Sequence, residues 1–249
     1  MKEFLRFRLL LTSQDAALRL NPGEEHTEFC VLPACFAIHP PFAMHSAAAH
    51  AFIVNELRRG LAPNLHYHGL PHTLDVAAVA LELAAAGGVT DPKILVLLHT
   101  AALYHDDGFL QSYQGHEEQG CALARTSLPE FGYSAGQVAQ VCALIQATKY
   151  PQEPHSYLEK ILCDADLDYL GRPDFVSIST SLYHELTARQ LIADERAWFE
   201  LQARFLASHH FWTRTAIARR AAPKQARLDH IRHLLAHWPP AGEDALGCV

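Results

Sequence analysis

The chain has 249 residues, of which 49% are hydrophobic and 19% are charged, a composition typical of a globular protein with one large domain. Its formal charge of -7 argues against a dedicated nucleic-acid surface or an anionic-membrane binder. No stretch approaches the ~18 uncharged apolar residues that a membrane helix needs, and the six scattered cysteines indicate no disulfide framework. These features predict a cytoplasmic protein without a membrane span.

The order of elements along the chain predicts a helical protein. Residues 1–44 hold turn and proline signals without sustained periodicity, so we expect an irregular N-terminal arm before a domain over 45–240. Apolar residues then recur at helical spacing, and no run alternates like a half-buried strand, which makes the fold class all-α. The expected helices cover 48–59, 71–86, 92 to about 107, 116–127, 134–147, 156–170 and 173–192. Two more, over 194–221 and 223–237, form a C-terminal helical extension.

An imidazole and a carboxylate stand side by side at His105 and Asp106, at the end of the apolar run 94–103. Burying such a pair is costly without a strong partner, and a divalent metal suits both groups. A second apolar helix carries Asp166 between two further aspartates, a set that is destabilising without a cation nearby. These two segments predict a metal site.

Histidines near other expected helix ends add potential ligands. His68 and His72 are four residues apart, so they share one face if their helix begins early enough. His116 opens the helix that follows the His-Asp loop. Three separate segments therefore bring imidazoles toward the same kind of site.

The order His72, His105-Asp106 and Asp166 on an all-α chain resembles the HD-domain superfamily of metal-dependent phosphohydrolases, over about residues 48–175. The stretch 67–76 also resembles the first motif of the cyclic-nucleotide phosphodiesterases within that superfamily. Ala165-Asp166-Leu167 resembles the closing motif of the family. The resemblance implies an HD-domain helical bundle, here with additional C-terminal helices.

The resemblance also implies that one divalent metal ion is bound by four residues, His72, His105, Asp106 and Asp166. His116 matches the second-metal histidine of binuclear members, in which Asp106 would bridge the two ions. Those members carry another histidine near the position of Thr148, so a second site here is short of a ligand or absent. The ligand types suit manganese, iron, cobalt, nickel, magnesium or zinc and do not choose among them.

The implied activity is hydrolysis of a phosphomonoester or phosphodiester by metal-activated water, with a small phosphorylated compound, a nucleotide, as the expected substrate. His68 matches the general acid of the phosphodiesterases. Asp107 is a further candidate for proton handling, because it follows the His-Asp pair directly. Lys149 and Arg172 lie near the ligand-bearing segments and are candidates for binding phosphate.

Two other functions stay open at this point. A non-catalytic helical module for signalling or partner binding is one, although degenerate members usually lose ligands and the four principal ones are present here. A diiron oxygenase of the same fold is the other, and Thr148 counts against it because that chemistry needs the full six-ligand site. A homo-oligomer is neither indicated nor excluded.

Overall fold

The computed structural model describes residues 44–238, and within this range the chain forms α-helices, short 3-10 helices and connecting turns without a strand. The α-helices, in chain order, are α1 (Ser46–Gly60), α2 (Leu70–Ala86), α3 (Pro92–Tyr104), α4 (His116–Ser127), α5 (Ala135–Ala147), α6 (Tyr157–Asp166), α7 (Phe175–Ala188), α8 (Glu195–Ser208) and α9 (Arg214–Ala236). The all-α prediction is confirmed. The expected N-terminal arm lies outside the described residues, except for Met44. No helix in this range is long and apolar enough to cross a bilayer.

Several helices begin where capping chemistry predicts. The Asp91 carboxylate accepts the backbone N–H of Lys93 at 2.8 Å, and Pro92 occupies the first helical position of α3. α5 and α6 both begin with a capping box, from Ser134 and Ser156 respectively. These caps satisfy backbone groups that the first turn of each helix would otherwise leave unpaired.

The core forms where α2 packs against α3 and α6, and where α3 packs against α5. Small residues on α2, such as Ala77 and Ala80, are almost fully buried, which lets the neighbouring helices approach closely. Larger side chains fill the remaining space, among them Leu98, Ile145 and Leu162. The three helices that carry the expected metal ligands thus meet in one packed unit.

The C-terminal helices break at a different place from the one expected. The helical structure is interrupted at 209–213, between α8 and α9. α9 then continues through Pro223, whereas the sequence predicted a break between two helices near 222. The Thr213 hydroxyl caps α9 by accepting the N–H of Ala216, and Asp164 accepts the N–H groups of Trp212 and Thr213. Packing of α9 on α8 and on the Asp168–Gly171 turn outweighs the cost of about 3 kcal/mol of an interior proline.

Candidate metal centre

Three helix ends place the four expected ligands. His72 lies in the first turn of α2, His105 and Asp106 follow the last residue of α3, and Asp166 is the last residue of α6. Because α2 and α3 both pack against α6, these ends converge. All four side chains are mostly buried, with exposures between 1% and 17%.

The ligand atoms of His72, His105 and Asp106 lie close enough to share one ion. His72 Nε2 is 3.2 Å from Asp166 Oδ1 and 3.4 Å from Asp106 Oδ2. His105 Nε2 is 3.2 Å from Asp106 Oδ2, 3.5 Å from Asp166 Oδ1 and 3.4 Å from His72 Nε2. Ligand atoms about 2.1 Å from a common ion are about 3.0–3.4 Å apart, so the separations within His72, His105 and Asp106 match a single divalent ion. Asp166 lies at similar distances from both imidazoles.

The hydrogen bonds around the cluster leave two potential metal-binding atoms free, His105 Nε2 and Asp106 Oδ2. His105 Nδ1 lies 2.8 Å from the carbonyl of Ala102, an acceptor that fixes the proton on Nδ1 and leaves a lone pair on Nε2. Asp106 Oδ2 is buried and accepts no hydrogen bond from residues 44–238. Tyr67 packs on the His72 ring at 4.6 Å between centroids and limits its rotation. The donor set therefore fits a divalent metal.

Without a cation, the cluster holds protons instead. Burial alone would lower the pKa of His72, but its interactions with the Asp106 and Asp166 carboxylates outweigh burial and raise the pKa to about 8. Burial opposes the charged form of His105 too, yet the charge of Asp106 raises its pKa well above the usual value. The pKa of Asp166 falls to about 2 against the effect of burial, because both imidazoles donate hydrogen bonds to it. The site thus favours positive charge between its two carboxylates.

His116 lies on the other side of Asp106. Its Nε2 is 3.6 Å from Asp106 Oδ1, the oxygen that the four-ligand cluster does not use. A Cβ at Gly108 would overlap the backbone carbonyl of His116, so glycine there permits the close approach. The hydroxyl of Thr148 donates to the carbonyl of Ile145 at 2.8 Å, which ties it to its own helix end.

Glu185 is a residue of this site that sequence reasoning missed. It lies on α7, is fully buried, and its Oε1 is 2.5 Å from His68 Nδ1. Oε2 accepts the backbone N–H groups of Tyr67 and His68 at 2.8 and 3.1 Å. Burial would raise the pKa of Glu185, but the His68 bond and these N–H groups lower it to about 2. In the sequence, the only signal for Glu185 was its position as an isolated glutamate on an apolar helix face.

His68 thereby enters the site in a defined orientation. Its ring packs on Phe109 at 4.3 Å between centroids. The ring centroid is 6.2 Å from that of His72 and 6.4 Å from that of His116. The structure brings His68 and His116 together with the four-ligand cluster.

Asp107 points away from the cluster. Its carboxylate is fully buried and lies against α4, where a Cβ added to Gly120 would come within 2.5 Å of Oδ1. Burial raises the pKa of Asp107 well above the usual value. Glycine at position 120 makes room for this side chain, which accepts no side-chain hydrogen bond from residues 44–238.

The two expected phosphate-binding cations already have carboxylate partners. Lys149 donates to Glu118 in the first turn of α4, and this bond lowers the pKa of Glu118. Arg172 donates to Asp75 at 2.6 Å and to Asp174 at 2.5 Å. A phosphate would have to compete with these partners at either position.

No family model matches the chain, and no curated protein matches it. Two solved structures of Bacillus subtilis YpgQ, one of them in complex with ADP, resemble it with TM-scores of 0.54 and 0.52 at 19% and 17% sequence identity. These similarities cover 79% and 78% of this chain and 98% of each YpgQ chain. A predicted HD superfamily hydrolase from an uncultured Thermotogales bacterium is similar with a TM-score of 0.47 at 23% identity, over 76% of this chain and 92% of that one.

The likeness to YpgQ extends over most of both chains, so this chain has the helical fold of that protein. The helical bundle that the His-Asp motif indicated is therefore confirmed.

Proposed function

We propose that the chain is a metal-dependent phosphohydrolase that cleaves a phosphomonoester or phosphodiester, with a nucleotide as the substrate. One observation carries the proposal: two imidazole nitrogens and two carboxylate oxygens converge beside a histidine held by a buried glutamate. The resemblance of these residues to the motifs of the HD-domain phosphohydrolases supports the reaction class. The solved complex of YpgQ with ADP supports the choice of a nucleotide.

The metal would be held by His72, His105, Asp106 and Asp166, with His116 available to a second ion. A divalent ion there supplies Lewis-acid polarisation of a phosphoryl oxygen and a lowered pKa for water. The two imidazoles bind as neutral groups, and the two carboxylates offset the charge of the ion. Ala102 and Tyr67 keep the two imidazole rings in place through the contacts already described.

His68 is the proton donor of the proposal. The ionised Glu185 holds a proton on His68 Nδ1, so Nε2 is the atom that exchanges a proton with the leaving-group oxygen. The His68 ring centroid is 6.2 and 6.4 Å from those of His72 and His116, which keeps the proton donor beside residues that would hold the metal. Glu185 acts through His68 and is a positioning residue.

A cytoplasmic location is also part of the proposal. Cys121, Cys142 and Cys163 are buried free thiols, as expected in a reducing compartment. Fractionation of cells that express the full chain would test this point.

The activity is tested by loading the purified chain with each candidate metal and screening generic phosphoesters and nucleotides. We expect metal-dependent hydrolysis, lost together with bound metal in His105→Ala and Asp106→Ala. Asp229→Ala, which removes an exposed carboxylate on α9, is the matched control and should change neither property. Unchanged metal content and activity in both site variants would contradict the proposal, and bound metal without any hydrolysis would favour a binding module instead.

A further inference from the structure

Arg189 is a half-buried cation at the end of α7 that makes no ion pair with any residue in 44–238. Its Nε atom is buried and has no hydrogen-bond partner in that range. The guanidinium lies over the ring of Tyr113, with Cζ 4.0 Å from the ring centroid. An aromatic face thus supports the cation, while its N–H groups stay available.

Glu185 would be the natural counterion, because it lies one helical turn before Arg189 on the same helix. Its acceptor positions are already used, however. Oε1 accepts from Tyr113 and lies against His68 Nδ1, while Oε2 accepts two backbone N–H groups. The positive charge of Arg189 is therefore left for another anion.

The position of Arg189 links it to the proposed active site. The Tyr113 ring that carries it is 6.0 Å from the His68 ring and 5.2 Å from the Phe109 ring. Phe109 in turn stacks on His116 at 4.1 Å. Between them, the Tyr113 and Phe109 rings contact Arg189, the proposed proton donor His68 and the possible second-metal ligand His116. These three side chains therefore lie at the same edge of the cluster.

A half-buried guanidinium has lost part of its hydration, and an oxyanion partner would offset that cost through charge-assisted hydrogen bonds. The cations expected from the sequence differ from Arg189 in this respect. Lys149 is paired with Glu118, and Arg172 with Asp75 and Asp174. Near the cluster, Arg189 is thus better prepared than either of them to receive an anionic ligand.

We propose that Arg189 binds a second anionic group of the substrate, distinct from the phosphoryl group at the metal cluster, and so determines selectivity for substrates such as a diphosphate. The inference rests on the proposed function, which places the reacting phosphoryl group beside His68. The planar guanidinium presents paired N–H donors that match two oxygens of one phosphate.

Calorimetric titration of the manganese-loaded full chain with AMP and with α,β-methylene-ADP tests this selectivity without relying on turnover. We expect the wild type to bind the diphosphate analogue about tenfold more tightly than AMP. In Arg189→Met this preference should fall to about twofold or less, and Arg189→Lys should retain part of it, because lysine keeps the charge but not the fork of donors. Arg58→Met, at an exposed position on α1, is the charge-matched control and should keep the wild-type preference.

An undiminished preference in Arg189→Met would overturn the inference, and so would equal affinity or no binding of the two ligands by the wild type. Failure of the proposed function is a separate result. If no phosphoester is hydrolysed but the preference exists and depends on Arg189, the hydrolase proposal fails and the binding site stands.

Discussion

Three aspartates spaced two residues apart, Asp164, Asp166 and Asp168, lie at and just after the end of α6 and have different partners. Asp164 accepts the N–H groups of Trp212 and Thr213 at 2.8 and 2.7 Å. Asp168 accepts from Arg220 Nε at 2.7 Å. Asp166 instead faces the Nε2 atoms of two histidines, at 3.2 and 3.5 Å.

This difference in partners distinguishes Asp164 and Asp168, which have a structural role, from Asp166, the proposed metal ligand. The groups that bind Asp164 and Asp168 belong to α9 and to the two residues just before it, so these two carboxylates attach α9 to the rest of the domain. Among residues 44–238, neither Asp166 nor Asp106 pairs with a lysine or an arginine. Two carboxylates that share two imidazoles form a site that a divalent ion completes, whereas their neighbours need none.

The largest expected effect is on metal binding. Asp166→Asn removes an anionic ligand, so we expect bound metal to fall well below one ion per chain and phosphoester hydrolysis to fall at least about 10³-fold. Asp164→Asn is the matched change two residues away and should keep the metal content. Elemental analysis of both purified variants measures the contrast, and equal metal loss in the two would erase the distinction between them.

A smaller effect on hydrolysis is expected at Glu185. In Glu185→Gln the amide replaces the ionised acceptor that orients His68, and we expect kcat to fall about 10- to 100-fold with metal content unchanged. A Glu185→Gln enzyme with the wild-type kcat would show that Glu185 does not position His68.

The structural role of Asp164 predicts a change in stability. Asp164→Ala leaves the N–H groups of Trp212 and Thr213 without their acceptor, so the free energy of unfolding should fall by about 2–4 kcal/mol. Urea denaturation measures this difference. The folded fraction of the variant should still bind one metal ion, and a stability equal to that of the wild type would be evidence against the anchoring role.

The smallest expected effect is a change with pH in the stability of the metal-free chain. Because the pKa of His72 rises from 6.5 to about 8 on folding, its contribution to stability is fully present below pH 6.5 and is lost as the pH rises through 8. The loss amounts to at most about 2 kcal/mol. Denaturation of metal-free protein at pH 6 and pH 9 measures it.

His72→Gln should remove the part of this pH dependence that His72 contributes and leave the part from His105, whose pKa is also raised. His184→Gln, at an exposed position on α7, should leave the whole dependence unchanged. Metal binding has the opposite dependence, because a proton must leave His72 before an ion can bind. Because the pKa of His105 is raised as well, affinity should keep rising with pH through about 8.

Local chemistry made much of the fold predictable. The start of α3 follows from Asp91 and Pro92, and α4 begins and ends where the pattern indicated. The break near 210 was not predictable, because it depends on Asp164, a residue far away in the chain. Pro223 lies inside a helix for a similar reason, since tertiary packing outweighs a local preference there.

The candidate site likewise has one part that local sequence predicts and another part that it does not. His105 and Asp106 are adjacent, and their cost in an apolar helix is visible in the sequence alone. The pairing of Glu185 with His68 joins residues 117 positions apart, so no local pattern reveals it. Whether a cation such as Arg189 or Arg172 is free also depends on neighbours that only the folded chain brings together.

Anomalous diffraction from crystals of the manganese-loaded chain is the most direct test of the central claim. The account predicts one strong peak at bonding distance from His72 Nε2, His105 Nε2 and one carboxylate oxygen each of Asp106 and Asp166. A peak located at Asp164 or Asp168 instead, or no peak among the four proposed ligands, would contradict it.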